Sequence, residues 1–132
     1  MKPSAVICGS YHRKPEMLRR IFRELEMTGC RILSPISLNF LNLASPVVTT
    51  VDEFDLNIYE LEKFHLRTMR EADFIWLHAP EGHVGISSAY ELGYANALKK
   101  PVFCLDQPSD EMLQTRVVYV GSVFEALESL QL

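Results

Sequence analysis

The chain has 132 residues, of which 48% are hydrophobic, and a formal net charge of −4. This size and composition predict a single domain, residues 1–132, with a real hydrophobic core. The absence of a basic surplus argues against a nucleic-acid partner. The short apolar runs argue against a membrane span, and the N-terminus does not have the pattern of a signal peptide, so we expect a cytoplasmic protein with no membrane partner.

The N-terminal part of the chain alternates between strand and helix patterns. Residues 5–8 form a short apolar run that predicts the first strand. Pro15 suits the first position of a helix, in which apolar residues recur at helical spacing. Gly29 stands where a left-handed helix cap is expected. Residues 31–36 then predict the second strand.

The middle of the chain contains one irregular stretch and one long helix pattern. Residues 37–51 lose periodicity, and a loop of this length in a small domain usually serves or covers a site. Residues 52–72 predict a helix with one inward-facing stripe. The members of that stripe are Phe54, Ile58, Leu61, His65, Met69 and Ala72.

The sequence of the C-terminal half predicts a βαβ unit, followed by a short helix, a further strand and a final helix. Its strands are residues 74–78, 102–106 and 117–120, with a glycine-containing turn and a helix after the first of them. Ser109 is predicted to cap a short helix that extends to Gln114, and Ser122 is predicted to start a final helix. We predict an α/β flavodoxin-like, Rossmann-like three-layer sandwich, with five parallel strands in the order 2-1-3-4-5.

Glu91 is the main candidate catalytic residue. Residues 87–91 are typical of a helix start, which places Glu91 in the first turn, at the carboxyl edge of the sheet where ligands bind. The helix dipole would hold the carboxylate ionised and suited to nucleophilic attack on a sugar carbon. The structural alternative is a capping box, in which Glu91 reaches back to the backbone N–H of Ser88.

The loop after the first strand is a candidate substrate-binding segment. Gly9, Ser10, Tyr11 and Arg13 belong to it, and its free N–H groups and Ser10 hydroxyl suit an anion at a helix start. Arg13 and Lys14 suit a phosphate. The alternative is an ordinary strand-to-helix turn with solvated charges.

The turn after the third strand is a second candidate binding segment. Gly82 and Gly85 flank His83, and the two glycines would let a sugar or phosphate approach the backbone. Ser87 and Ser88 offer hydroxyl and N–H donors to the same ligand. Simple turn chemistry is the alternative for the glycines.

Histidines and cysteines show no metal pattern. His65 lies on the inward stripe, either as a core residue or as a group that orients a ligand or transfers a proton. The other three histidines have no mutual spacing typical of a metal site. Cys8, Cys30 and Cys104 lack a CxxC pattern, so we interpret them as reduced, inert thiols. We expect no metal.

Several of these motifs together resemble the nucleoside 2-deoxyribosyltransferase superfamily, which includes the deoxynucleoside 5′-monophosphate N-glycosidases. The resemblance covers most of the chain but depends mainly on the Glu91 region. The residues that carry it are Gly9-Ser10, Ala72-Asp73, Gly82-His83-Val84-Gly85, Ile86-Ser87-Ser88-Ala89-Tyr90-Glu91-Leu92-Gly93-Tyr94-Ala95 and Lys100-Pro101-Val102.

The resemblance implies a flavodoxin-like fold, a homodimer or higher homo-oligomer, a nucleoside or nucleotide as the small-molecule partner, and no cofactor. It also implies that Glu91 attacks C1′ of the sugar and expels the base, after which water or a second base resolves the glycosyl-enzyme. The chain departs from the family at His65, which stands where those enzymes carry an aspartate. The transferases carry a further aspartate near the position of His83 or Glu81. A histidine can protonate a purine, or the site can bind without turnover.

Three functions remain open from the sequence. The first is cleavage or transfer at the N-glycosidic bond of nucleosides or their 5′-monophosphates. The second is a non-catalytic nucleotide-binding module. The third is a cytokinin-activating type of phosphoribohydrolase, although the two glycines that follow proline in that group are absent here, because Glu81 follows Pro80. The sequence leaves open the base, the sugar and the need for a phosphate.

Overall fold

A computed structural model of the chain describes residues 2–39 and 56–130. It confirms the predicted α/β architecture, with one five-stranded sheet in the order β2-β1-β3-β4-β5 and parallel pairing throughout. The described elements are β1 Ser4–Gly9, α1 Pro15–Met27, β2 Arg31–Ser34, α2 Ile58–Glu71, β3 Phe74–His78, a 3-10 turn Pro80–Gly82, α3 Ile86–Ala97, β4 Val102–Cys104, α4 Glu111–Gln114, β5 Val118–Tyr119 and α5 Val123–Ser129.

The two central strands are buried on both faces, which is why their sequences are continuous apolar runs. Alternate residues of β1 enter two separate cores. Ile7 joins Trp76 beneath α1 and α5, whereas Cys8 joins Leu77 and Met69 on the side of α2 and α3. The functional consequence is that α2 and α3 share one face of the sheet.

Helix α1 follows the sequence prediction. Pro15 is its first residue, and its apolar face buries Leu18, Ile21 and Leu25 against the sheet. Gly29 has φ +90°, the left-handed backbone that ends a helix most easily at glycine.

The predicted start of α2 at residue 52 is wrong. Asn57 has an extended backbone, and its side chain accepts the N–H of Glu60 at 2.8 Å, so the helix begins at Ile58. The side chain of Glu60 in turn accepts the N–H of Asn57, which completes a capping box. Residues 40–55, which include most of the predicted loop and Phe54, lie outside the described part of the chain.

The inward stripe predicted for α2 holds only along its C-terminal half. His65, Met69 and Ala72 are buried, but Ile58 is 67% exposed. The C-terminal half packs on the sheet, while the N-terminal half borders an open cavity. Ile58 therefore lies on the predicted stripe at the height of the cavity, which it lines, and not in the core.

Helix α3 also begins earlier than expected. Gly85 is its N-cap and Ile86 its first residue, and the N–H of Ala89 donates to the carbonyl of Gly85 at 2.9 Å. Glu91 therefore lies in the second turn, and the capping box between Ser88 and Glu91 does not form. The first-turn placement of Glu91 is wrong.

The outer strands are shorter than their apolar sequence predicts. β2 ends at Ser34, because Pro35 has no N–H to donate to the ladder. β5 covers only Val118–Tyr119, and both residues are exposed at the sheet edge. Within residues 2–39 and 56–130, no helix has the length and apolar character needed to cross a membrane.

Helices α4 and α5 both begin at a residue whose side chain caps the first turn. Asp110, rather than Ser109, caps α4 by accepting the N–H of Leu113 at 3.0 Å. Ser122 caps α5 as predicted, accepting the N–H of Glu125 at 3.1 Å.

Gly9 brings the carboxyl ends of β1 and β3 into close contact. Its φ is +137°, and a Cβ at this position would lie 2.1 Å from the carbonyl oxygen of His78. The N–H of Ser10 donates to the same oxygen at 3.3 Å. Only glycine fits at this position. The loop after β1 can therefore lie directly beside the end of β3.

Candidate active site

A cavity of about 810 Å³ opens at the carboxyl edge of the sheet, between α2 and α3. The chain adds β2 on one side of β1 and β3 on the other side, so the direction of strand addition changes at this point of the sheet. Ligands of open α/β sheets bind at such changes of direction. The lining residues come from five places: the loop after β1, the end of β2, the N-terminal half and middle of α2, the turn after β3 and the start of α3. The volume falls within the range of about 300 to 1,000 Å³ that is typical of small-molecule sites.

All but two of the predicted site residues line this cavity. Those that do are Gly9, Ser10, Tyr11, His65, His83, Gly85, Ser87, Ser88 and Glu91.

The two exceptions, Arg13 and Gly82, are not among the lining residues. Arg13 is exposed, and its carbonyl accepts from His78 at 2.7 Å. Gly82 packs instead against Gln107 and Ser109, where a Cβ would lie 2.6 Å from the Ser109 hydroxyl. Gly82 and Arg13 therefore shape loops next to the cavity.

Glu91 lies at the bottom of the cavity and faces His65 across the gap between α3 and α2. Both residues are only 8% exposed, and His65 Nε2 lies 3.4 Å from Glu91 Oε1. The other ring nitrogen, Nδ1, lies 2.7 Å from the Ser34 hydroxyl. Cys8 Sγ is 3.4 Å from Nε2. We call these four side chains, Cys8, Ser34, His65 and Glu91, the floor of the cavity.

The floor holds Glu91 as a carboxylate. Burial by itself raises the pKa of Glu91, but the hydrogen bond and positive charge of His65 outweigh it, helped by hydrogen bonds from Glu62 and Cys8. The result is a pKa below the ordinary carboxyl value. An ionised carboxylate buried beside an open cavity is a nucleophile with little competing solvation.

Glu62 is a site residue that the sequence interpretation missed. It lines the cavity one helical turn before His65. Burial, together with the side-chain interaction and the negative charge of Glu91, raises the pKa of Glu62 to about 8. The cavity therefore pairs one ionised carboxylate with one protonated carboxyl group. The i, i+3 spacing to His65 was the available signal, since such residues share a helix face.

Sequence comparisons do not place the chain in a family, because no protein-family model and no curated protein matches it. Among solved structures, the chain is similar to the CMP N-glycosidase BcmB of Clostridium botulinum. The TM-score is 0.56 and the sequence identity 16%, over 98% of this chain and 99% of that one. At this identity the likeness shows a shared fold.

Within residues 2–39 and 56–130, Cys8, His65 and Glu91 form a group whose possible ligand atoms are close enough together to be considered as a metal site. Their ligand atoms all lie within 4.8 Å of one another. Burial and the nearby charge of Glu91 raise the pKa of the Cys8 thiol well above its ordinary value. Since a metal ligand must be a thiolate, we interpret this thiol as a hydrogen-bonding member of the floor.

His78 fixes the loop that forms one wall of the cavity. The carbonyl of Arg13 can only accept, so His78 Nε2–H is the donor of their 2.7 Å hydrogen bond. Burial lowers the pKa of His78, which keeps the ring neutral. Tyr11, in the same loop, donates its hydroxyl to the carbonyl of Ile7.

The outer edge of the cavity is apolar. Ile58, Ile86 and Tyr90 all line the cavity, and they are 67%, 92% and 62% exposed. We call these three side chains the rim. Large apolar groups that remain open to solvent at a cavity mouth suit a flat apolar ligand surface or a second chain.

Proposed function

We propose that the chain cleaves, or transfers across, the N-glycosidic bond of a nucleoside or its 5′-monophosphate, with Glu91 as the nucleophile. The observation that carries the proposal is the buried carboxyl group of Glu91, paired with His65 at 3.4 Å at the bottom of an open cavity. The fold shared with a CMP N-glycosidase supports the same class of chemistry. Fold alone does not decide function, so the weight lies on the site.

The reaction follows the retaining logic of glycosidases. A Glu91 oxygen forms a bond to C1′ of the sugar while the bond from C1′ to the base nitrogen breaks, and the bonding electrons leave with the base. Water, or a second base, then attacks C1′ and releases the Glu91 carboxylate. Attack from opposite faces in the two steps retains the configuration at C1′.

His65 has a positioning role in this proposal. Its Nε2 faces Glu91 and its Nδ1 faces Ser34, so both ring nitrogens have partners at the floor. The ring is fixed in the orientation that keeps Glu91 ionised and pointed into the cavity. The proposal thus gives His65 the task of holding the nucleophile rather than protonating the base.

The start of α3 suits the polar part of the ligand. Gly85 provides no side-chain cap for the first N–H groups of the helix, and Ser87 and Ser88 of its first turn line the cavity. Helix N-termini bind phosphate and sugar oxygens in this way. We place the sugar, with any 5′-phosphate, between this helix start and Ser10.

A second function, nucleotide binding without turnover, is favoured by one feature. The same contact with His65 that keeps Glu91 ionised also occupies one of its two oxygens, 3.4 Å away. A carboxylate that stays paired with His65 is a weak nucleophile. Assembly into a homodimer or larger oligomer remains a prediction for either function.

Incubation with a panel of ribo- and deoxynucleosides and their 5′-monophosphates tests the proposal, with released base measured by chromatography. Glu91→Gln should lower turnover by about 10³-fold or more, since an amide is a poor nucleophile. Glu128→Gln, a matched change at an exposed glutamate of α5, should leave turnover unchanged. Full activity of Glu91→Gln would reject Glu91 as the nucleophile, and ligand binding without any released base would favour the second function.

A further inference from the structure

We propose that Glu62 is the acid that donates a proton to the departing base and the base that later activates the attacking water. This inference rests on the proposed function, because it assigns the proton transfers of the same reaction.

Cleavage of an N-glycosidic bond requires such a donor. The base takes the bonding electrons, and without a proton on a ring nitrogen or carbonyl oxygen it departs as an anion. In retaining glycosidases a second carboxyl group supplies this proton. The cavity must therefore place an acidic group beside the base, while the carboxylate of the nucleophile lies beside C1′ of the sugar.

The geometry selects Glu62 among the titratable side chains near Glu91. His65 is tied to Glu91 and Ser34 through its two nitrogens. The Cys8 thiol lies within the floor, only 2% exposed. Glu62 is half-buried on α2, one helical turn before His65, and lines the same cavity as Glu91. Its side chain thus borders the open space in which Glu91 would attack the sugar.

The charges around Glu62 suit a proton donor that changes strength during the reaction. Burial is the main cause of the raised pKa of Glu62, followed by the side-chain interaction and the negative charge of Glu91. The positive charge of His65 opposes them. The other titratable side chains that line the cavity are His12, His83, Tyr11 and Tyr90. When Glu91 bonds to C1′, it becomes a neutral ester and its negative charge disappears. The pKa of Glu62 therefore falls at the stage of the reaction in which the departing base takes up a proton.

The proton cycle balances without a further reactant. In the first step the bond from C1′ to Glu91 forms, the bond to the base breaks, and the Glu62 proton moves to the base. In the second step the Glu62 carboxylate takes a proton from water, the water oxygen bonds to C1′, and Glu91 leaves as a carboxylate. Glu62 is again protonated at the end of the cycle.

Methylated nucleotides separate this role from a structural one. The bases of 7-methylguanosine and 3-methylcytidine 5′-monophosphates carry a positive charge and depart as neutral molecules, so no proton is needed. The experiment measures wild-type, Glu62→Gln and Glu91→Gln chains on these two probes and on the unmethylated guanosine and cytidine 5′-monophosphates. Glu71→Gln, an exposed glutamate at the end of α2, is the matched control.

Glu62→Gln should lose about 10²-fold or more in kcat on the unmethylated nucleotides and less than about 10-fold on the methylated ones. Glu91→Gln should lose activity on both kinds. The wild-type rate on unmethylated nucleotides should also fall as the pH rises through about 8. Thermal unfolding of Glu62→Gln checks that the variant is folded.

The outcomes are distinguishable. Equal losses of Glu62→Gln on both kinds of nucleotide, or no loss on either, would overturn the assignment of Glu62 and leave Glu91 as the nucleophile intact. A chain that cleaves none of the four nucleotides and releases no base from the wider panel of nucleosides and 5′-monophosphates would overturn the proposed function and this inference with it. A loss confined to the unmethylated nucleotides supports both.

Discussion

The floor and the rim of the cavity are made of opposite kinds of side chain. At the floor, four polar groups are at most 8% exposed and contact one another through His65. At the rim, three large apolar side chains are at least 62% exposed. The floor therefore fixes a geometry for chemistry, whereas the rim offers apolar area for recognition. Changes at the floor should alter stability and rate, and changes at the rim should alter affinity.

The largest expected effect concerns the backbone beneath the floor. Gly9→Ala should destabilise the fold by about 3 kcal/mol, because the new Cβ would lie 2.1 Å from the His78 carbonyl oxygen at a φ of +137°. Gly93→Ala is the control, since no atom lies within 4 Å of its Cβ, and alanine should stabilise that helix position by about 1 kcal/mol. Denaturant unfolding measures both changes. A Gly9→Ala chain as stable as wild type would show that the strand ends are not tightly joined.

The next effect concerns the ion pair at the floor. His65→Ala leaves Glu91 buried without its partner and should cost about 2 to 3 kcal/mol of unfolding free energy. It should also raise the pKa of Glu91, measurable by carboxyl NMR titration, and lower turnover at neutral pH.

His65→Gln sharpens the same test. Glutamine retains an N–H donor near the Nε2 position but carries no charge. It should therefore restore part of the lost stability and only part of the shift in the pKa of Glu91. An unchanged titration of Glu91 in His65→Ala would contradict a role for His65 in holding the carboxylate.

A smaller effect is expected in the pH dependence of stability. The folded chain retains a proton on Glu62 up to about pH 8, while an ordinary glutamate loses it near 4.5. The folded state then binds more protons than the unfolded state between these values, so the unfolding free energy should fall as the pH rises from about 4.5 to 8. Glu62→Gln should flatten this slope, and unfolding curves measured at several pH values would reveal it. The lowered pKa of Glu91 acts in the opposite sense, with stability lost as the pH falls below 4.5.

The smallest effect on stability is expected at the rim. Tyr90→Ala should change the unfolding free energy by less than about 0.5 kcal/mol, because the ring is already 62% exposed. Binding of a nucleotide should weaken by about 3- to 10-fold if the base packs against the ring. Tyr119→Ala, at a similarly exposed tyrosine of β5, should change neither quantity. Calorimetric titration with cytidine 5′-monophosphate tests this, and equal affinities for the two variants would remove the recognition role of the rim.

The fold was predictable because its strands are nearly continuous apolar runs. Residues 74–78 are all buried, and such a run between helical patterns indicates a central parallel strand. The position of the cavity followed from the strand order. The starts of α1 and α5 were predictable from Pro15 and Ser122. The starts of α2 and α3 were missed, because the capping roles of Asn57 and Gly85 are evident only from the hydrogen bonds at those helix ends.

The pairing at the floor could not be derived from spacing. Cys8 and His65 are 57 positions apart, and only the close approach of β1 and α2 brings them together. Glu62 is different, since its place one turn before His65 was visible in the sequence. What was not visible is the neighbouring charge of Glu91, which arises from another helix.

The described lining of the cavity contains neither lysine nor arginine, and the whole chain has a net charge of −4. A negatively charged nucleotide therefore approaches without electrostatic steering, and its encounter rate should be that of an unassisted diffusional collision. The binding free energy must then come from short-range contacts with the dipole of the helix start and with hydroxyl groups. Because ionic screening acts mainly on charge pairs open to solvent, association with a nucleotide should change little between low and physiological ionic strength.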